Sequence, residues 1–310
     1  MKIVSRLIRT SRRYVRRKLL ELLVITLPKI SREQLIELGR RNNTISVVEE
    51  EYVCEIPPQP NSLTALRFGN LVGRHKIPCF FGIVLSDIRL IGPYGIPVTR
   101  SGKIVLEPIA ESWLPTVLRR TINELGIFRL TTEYLLAIFP RLNNRRSDIP
   151  FAAHLLCRGA ERPGRGPVYG HWFGEQIPQL RAIEAIQEES AQEIKLIIDG
   201  DSTDWQTDSL EMIGYQSSSI IKHSSPGVRV KKLVISSLRH VHSTNMELDP
   251  KARQWAARRV RESASVNAER YSDSNRKVAY LRTNQRDRAI VNISEIRETL
   301  LEYGYFEDSD

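Results

Sequence analysis

Cysteine is scarce in this 310-residue chain, with only Cys54, Cys79 and Cys157. The three form no close-spaced cluster and make an odd number. This argues against a disulfide framework or a cysteine zinc site, and points to a reducing, cytosolic compartment. The apolar run at residues 19–27 is interrupted by Glu21 and is too short to span a bilayer. No small-residue cleavage site follows it, so a secretory signal fits poorly. No second histidine lies within a helical turn of His171, so the His-Glu-x-x-His zinc pattern is missing. Acidic residues are missing altogether from the first eighteen positions.

That last absence sets the charge distribution. Lys2, Arg6, Arg9, Arg12, Arg13, Arg16, Arg17 and Lys18 supply eight of the formal +10, leaving +2 for everything else. A folded nucleic-acid binder carries a basic face on its fold. Here the excess sits on one terminal segment, and no nucleic-acid partner is expected. Ile3, Val4, Leu7, Ile8, Val15, Leu19, Leu22 and Leu23 fall at helical spacing among those cations. Residues 1–28 therefore read as a basic amphipathic helix suited to an anionic membrane surface. The plainer alternative is a helix packed on the fold or on a partner. The expected location is cytoplasmic, peripheral on the inner face of the membrane.

An apolar content of 41% over this length can bury a real core and suggests two domains. A short helix at 31–41 with Ser31 as its cap comes first. Residues 44–106 then read as strands and turns, including the turn Gly92-Pro93-Tyr94-Gly95 and a second at Ser101-Gly102. This is a small meander at the front of the domain. Helices are expected at 114–125 and 131–139, then a strand at 151–157. A buried strand at 193–199 precedes a helix at 205–213, followed by strands at 219–222 and 228–236. Asp249 caps a helix at 249–263 with Pro250 at its first position. Alternating strands and helices predict an α/β layered domain.

Residues 264–276 are polar and without apolar rhythm, and read as a linker. A strand at 277–282, a polar loop at 283–288, a helix at 293–303 and a second strand opening at Tyr305-Phe306 follow. The expected division is thus a basic helix at 1–28, a domain at 29–263, the linker at 264–276, and the beginning of a further domain at 277–310.

The chemistry concentrates in residues 169–180, Tyr-Gly-His-Trp-Phe-Gly-Glu-Gln-Ile-Pro-Gln-Leu. A loop rich in Gly, Pro and Arg at 158–167 leads into it, and a helical pattern continues to about residue 192. If residues 169–176 coil as the first turns, His171 and Glu175 share one face at a helix N-terminus. The dipole there favours anionic oxygens. The two side chains then either form one wall of a cleft or serve only as a surface capping pair. Asp199-Gly200-Asp201, after a buried strand, imitates a metal-binding Asp-x-Asp, though this combination is more often a plain turn.

The run His171-Trp172-x-x-Glu175-x-x-Pro178-x-Leu180 resembles the H-W-x-x-E-x-L-P-R-L block of glycosyltransferase family 61, with Ile177 for its Leu and Gln179 for its Arg. Gly92-Pro93-x-Gly95 with Thr99-x-Ser101-Gly102 resembles the family's front meander. Trp205-Gln206, Leu210 and Gly214-Tyr215 resemble its central helix and turn. Arg282 with the run 288–292 resembles a later S-R-x-x-x-x-x-R-R-x-x-N-E block, in which Leu281, Ala289 and Ile293 replace Ser, Arg and Glu. The likeness covers roughly residues 80–308.

The resemblance implies a GT-B-like α/β fold, with a Rossmann-like first domain behind the β-meander and the first strand-helix unit of a second Rossmann-like domain. It implies an inverting transferase that moves a sugar from a nucleotide-sugar donor to a hydroxyl, in polysaccharide or glycoconjugate synthesis, without a metal or other cofactor. Glu175 and His171 are the implied catalytic pair, since inversion needs one proton acceptor. Trp172 and Gln176 are expected at the acceptor cleft, for a carbohydrate or lipid-linked acceptor. Arg282, Arg288 and Asn292 are expected on the donor phosphates. The family's late G-A-G-L-x-N block is not found, so weak donor binding by this chain alone is expected, and the alternatives are a truncated product, a fragment, or half of a split enzyme whose donor domain comes from a separate chain. The alternative expectation is a non-catalytic, membrane-associated scaffold derived from such an enzyme.

Overall fold

The computed structural model describes residues 25–56, 73–109, 111–142, 148–156, 172–238, 250–267, 277–279, 298 and 305–307. Two compact units, Met1–Val260 and Arg261–Asp310, are each described by themselves.

In the first unit a two-residue strand β1 (Lys29–Ile30) leads into helix α1 (Arg32–Asn42). Ser31 caps α1 as the sequence predicts. Its hydroxyl accepts from Gln34 N at 3.3 Å while Gln34 Oε1 accepts from Ser31 N at 3.1 Å. Strands β2 (Ile45–Glu49), β3 (Tyr52–Ile56), β4 (Gly73–Ile77) and β5 (Phe80–Ile91) follow, with β3 and β4 forming a separate antiparallel ribbon. Next come β6 (Ile96–Val98) and β7 (Ile104–Val105) of the meander, and helices α2 (Leu114–Leu125) and α3 (Ile127–Ile138). Helix α3 starts four residues before its expected position because Gly126, at φ +77°, ends α2 and admits the next helix at once. Strand β8 (Ile149–His154), helix α4 (Leu180–Ser190), strand β9 (Lys195–Asp199) and helix α5 (Asp204–Met212) alternate. Strands β10 (Ile220–His223) and β11 (Gly227–Ser236) precede helix α6 (Pro250–Asn267). Asp249 lies outside the described residues.

The main sheet runs β1-β7-β6-β5-β11-β8-β9-β10, with β2 also paired to β5. Four pairings are parallel (β1–β7, β11–β8, β8–β9, β9–β10) and four antiparallel (β5–β11, β2–β5, β5–β6, β6–β7). The unit is thus mixed α/β, with an antiparallel half larger than the small meander that the turn chemistry suggests. On one face, α4, α5 and α6 bury Trp172, Leu180, Ile183, Leu210 and Trp255 against Ala153, Leu196, Ile198 and Val234. On the other, the antiparallel half and α1 enclose Leu35, Phe81, Ile83, Leu90, Ala152, Ile197 and Leu233. A third cluster lies between the meander and α2–α3.

One connection forces the sheet to coil. Strands β10 and β11 run in the same direction through β9 and β8, yet only Ser224, Ser225 and Pro226 join them. A parallel return in a flat sheet takes about a dozen residues or more, whereas this link reaches roughly 14 Å. The first residues of β11 must therefore lie beside the end of β10.

In the second unit β12 (Lys277–Ala279) pairs in parallel with β13 (Tyr305–Glu307), so the strand expected to open at Tyr305-Phe306 forms. Glu298 is helical. The rest of the expected strand at 277–282 and of the helix at 293–303, together with the loop at 283–288, lies outside the described residues. One boundary is corrected. Helix α6 continues through Asn267 and covers the first four residues of the expected linker at 264–276. Of the basic segment only residues 25–28 are described. Among the described residues no helix is long and apolar enough to cross a membrane.

Candidate functional site

The parallel strands β8, β9 and β10 end together, at His154, Asp199 and His223. The carboxyl edge of an open parallel sheet is where α/β proteins gather ligand groups. The block singled out in the sequence follows β8 and leads into α4. It is not one continuous helix. Trp172–Gln176 forms a π-turn, Ile177–Gln179 a 3-10 turn, and α4 begins only at Leu180. Pro178 lacks an N–H and cannot enter a regular ladder, which accounts for the break. His171 lies outside the described residues, so its expected shared face with Glu175 does too.

Trp172 is fully buried, with no exposed surface. Its Nε1–H donates to Ser209 Oγ at 2.8 Å, and Ser209 Oγ donates to Gln206 O at 2.7 Å. The indole meets the Trp205 ring edge-on at 6.3 Å, and Phe173 stacks on Trp205 at 6.2 Å. Gln176 is also buried and accepts from Gln179 Nε2 at 2.9 Å. Both residues expected to line an acceptor cleft are thus packed inward, because the core beneath α4 and α5 needs the ring and Gln179 needs the amide. Phe173, Gly174 and Glu175 are the partly exposed positions of the block. A Cβ on Gly174 would meet nothing within 4 Å, so space is open at that position. Glu175 O accepts from Gln179 Nε2 at 3.0 Å, which holds the carboxylate-bearing residue at the entry to α4.

Two histidines that no sequence motif marks hold the front turn to the same edge. His154 Nε2 lies 3.0 Å from Gly95 O, and His223 Nε2 lies 2.8 Å from Gly92 O. A carbonyl only accepts, so each ring carries its proton on Nε2. Burial, and secondarily the neighbouring His223, lowers His154 to about 4, while burial likewise lowers His223. Both rings are therefore neutral near pH 7. The phenol of Tyr94, inside the turn, donates to Glu124 Oε1 at 2.9 Å and is pushed up to about 12 by burial and by that carboxylate.

Asp199-Gly200-Asp201 is a turn, with Ser202 N donating to Asp199 O at 3.1 Å. A Cβ at Gly200 would sit 2.7 Å from His223 O, so glycine is required by close backbone approach. Among the described residues no group of three or more His, Cys, Asp or Glu side chains is placed to hold a metal ion. At the start of α5, Thr203 N donates to Gln206 Oε1 at 3.0 Å. Gln206 Nε2 and Ser202 Oγ are buried there without hydrogen-bond partners, two polar atoms with capacity left over. The expected donor residues Arg282, Arg288 and Asn292 lie outside the described residues.

A second concavity of about 810 Å³ opens at the amino ends of β9 and β10, lined in part by Glu184, Gln187, Tyr215, Gln216, Ser219 and Arg259. Arg259 Nη2 donates to Glu184 Oε1 at 3.1 Å and to Ile213 O at 3.2 Å. Burial first, then the Glu184 carboxylate, pushes the Tyr215 phenol well above its ordinary range. Comparison of the chain with protein-family models, with curated proteins and with solved structures yields no match.

Proposed function

We propose that the chain is an inverting glycosyltransferase of GT-B type, moving a sugar from a nucleotide-sugar donor to a hydroxyl of a carbohydrate or lipid-linked acceptor in polysaccharide or glycoconjugate synthesis. One observation carries this reading. Segments that resemble the family in sequence and lie far apart in the chain make two sets of contacts, the Trp172 block with α5 and the Gly92–Gly95 turn with the ends of β8 and β10. The Trp172 block is bonded to α5 through Ser209 and stacked on Trp205. The Gly92–Gly95 turn is bonded to the last residues of β8 and β10. Contact between Trp172 and α5, two separated parts of the likeness, supports this reading.

In this reading Glu175 takes the acceptor proton as the sugar carbon is attacked from the face opposite the departing nucleotide diphosphate. His171 orients the carboxylate or the hydroxyl, and Arg282, Arg288 and Asn292 meet the diphosphate charge. Phe173, partly exposed and stacked on Trp205, offers the acceptor sugar an apolar surface in place of Trp172. The test is transfer from a panel of labelled nucleotide sugars to carbohydrate and lipid-linked acceptors, by the chain alone and with extract of its source cells added. Glu175→Gln should lower turnover by about 10²–10⁴-fold with an unchanged melting temperature. Unchanged turnover with a lowered melting temperature would identify a structural capping residue and overturn the assignment.

A further inference from the structure

Four of the eight large hydrophobic side chains exposed among the described residues lie between residues 128 and 142. They are Phe128, Leu135, Phe139 and Leu142, and Phe128 and Leu142 are 88% and 70% exposed. Phe128 and Leu135 stand seven apart on α3, two helical turns on one face. Phe139 at its C-cap and Leu142 in the 3-10 turn Pro140–Leu142 extend the apolar exposure. Thr131 and Thr132 are exposed on the same helix, and their hydroxyls donate back to Ile127 O and Phe128 O at 2.9 Å each. Those hydroxyls are satisfied within the helix, which leaves methyl groups toward the outside.

The charges on this stretch have one sign. Arg129 and Arg141 are exposed, whereas the one acid, Glu133, is buried against Arg89. On the preceding helix, exposed Glu124 is engaged by the Tyr94 phenol. Leu27 packs on the same cluster as Leu130 and Ala137, so the chain that carries eight cations in its first eighteen residues enters the fold against this module. Apolar side chains interspersed with arginine are the composition of a surface that rests in a lipid interface.

We infer that the outward face of α3 and the turn after it, residues 128–142, is a membrane-contacting surface. It places Phe128, Leu135, Phe139 and Leu142 at the acyl boundary, with Arg129 and Arg141 among anionic headgroups. The basic segment supplies long-range attraction, and the α3 face supplies a fixed, folded seat. This inference is independent of the reaction proposed above.

The experiment uses the full chain with vesicles of phosphatidylcholine, with and without phosphatidylserine. Binding is followed by sedimentation, and insertion by brominated-lipid quenching of a Phe128→Trp variant. Phe128→Ser/Leu142→Ser should weaken binding at least about ten-fold with an unchanged circular dichroism spectrum. Arg129→Gln/Arg141→Gln should weaken it roughly 25-fold on the anionic vesicles, about five-fold per charge, and the loss should shrink as salt rises. Tryptophan at 128 should be quenched beyond the parent's background, a readout that holds even where a serine variant folds poorly. Three results would overturn the inference. One is no added quenching at 128. Another is binding lost when Arg12, Arg13, Arg16 and Arg17 become Gln but untouched by both α3 variants. The third is a dimer in solution that dissociates in the serine variant, which would make the face an interface between copies of this chain.

Discussion

Replacing His154 by Gln keeps a side-chain N–H near Gly95 O and removes the group that titrates. In the folded chain His154 sits at about 4 against an ordinary 6.5. The unfolded chain therefore takes up the proton first as pH falls. The stability difference is fully present above pH 6.5, declines as pH falls, and the loss is complete once pH passes below about 4. At 1.36 kcal/mol per pH unit the gap amounts to ~3 kcal/mol, a sizeable share of what holds a domain folded. His223 is displaced in the same direction and adds to the loss. Urea unfolding at about pH 7.5, 5.5 and 4 measures it directly. The parent should lose midpoint steadily through this window, and His154→Gln should lose about 3 kcal/mol less. An identical decline in parent and variant would refute a buried, neutral His154.

Trp172→Phe removes the N–H to Ser209 while keeping an aromatic ring, and should cost about 1–2 kcal/mol. Trp172→Ala also opens a cavity beneath α4 and α5 and should cost roughly 3–5 kcal/mol, read as a fall in melting temperature. In the core, Arg89 and Glu133 are 3% and 4% exposed, and Arg89 Nε donates to Glu133 Oε2 at 3.0 Å. Arg89→Met removes the buried cation from the Glu133 carboxylate and should cost about 3–5 kcal/mol, whereas Arg89→Met with Glu133→Leu should recover most of it. Equal destabilisation by the single and double variants would contradict that account.

Elements governed by local chemistry were legible in the sequence. Helix α2 occupies Leu114–Leu125 as its apolar spacing suggests, Ser31 caps α1, and the two glycine turns delimit β6. Asp199-Gly200-Asp201 is a turn for the reason its composition gives. What could not be read depends on contacts distant in the chain. Nothing in the residues at 219–236 says that two parallel strands are joined by three residues, since that depends on how the whole sheet coils. Trp172 reads equally well as a cleft aromatic or a core aromatic until Ser209 and Trp205 are found beside it. His154 and His223 lie 69 positions apart, and only parallel pairing through β9 brings both rings to one turn.

That turn ties the separate parts of the first unit together. Gly92 O accepts from His223, Gly92 N donates to Pro226 O at 2.7 Å, and Gly95 O accepts from His154. The link between β10 and β11 is thereby closed on the front meander, and both ends of the turn are held by neutral rings. Tyr94, between those ends, is bonded to Glu124 of α2, and α2 shares its cluster with α3. The helices whose outer face carries Phe128 are thus fastened, through one four-residue turn, to the ends of β8 and β10. A protonated His154 would need hydration that this packing does not provide. Acid should therefore release the turn as a unit, and loss of the α3 surface should accompany loss of order at the strand ends. Amide exchange at Gly95 and at Leu130 should accelerate together below about pH 5. Acceleration at Gly95 alone would show that the turn opens without disturbing the helices behind it.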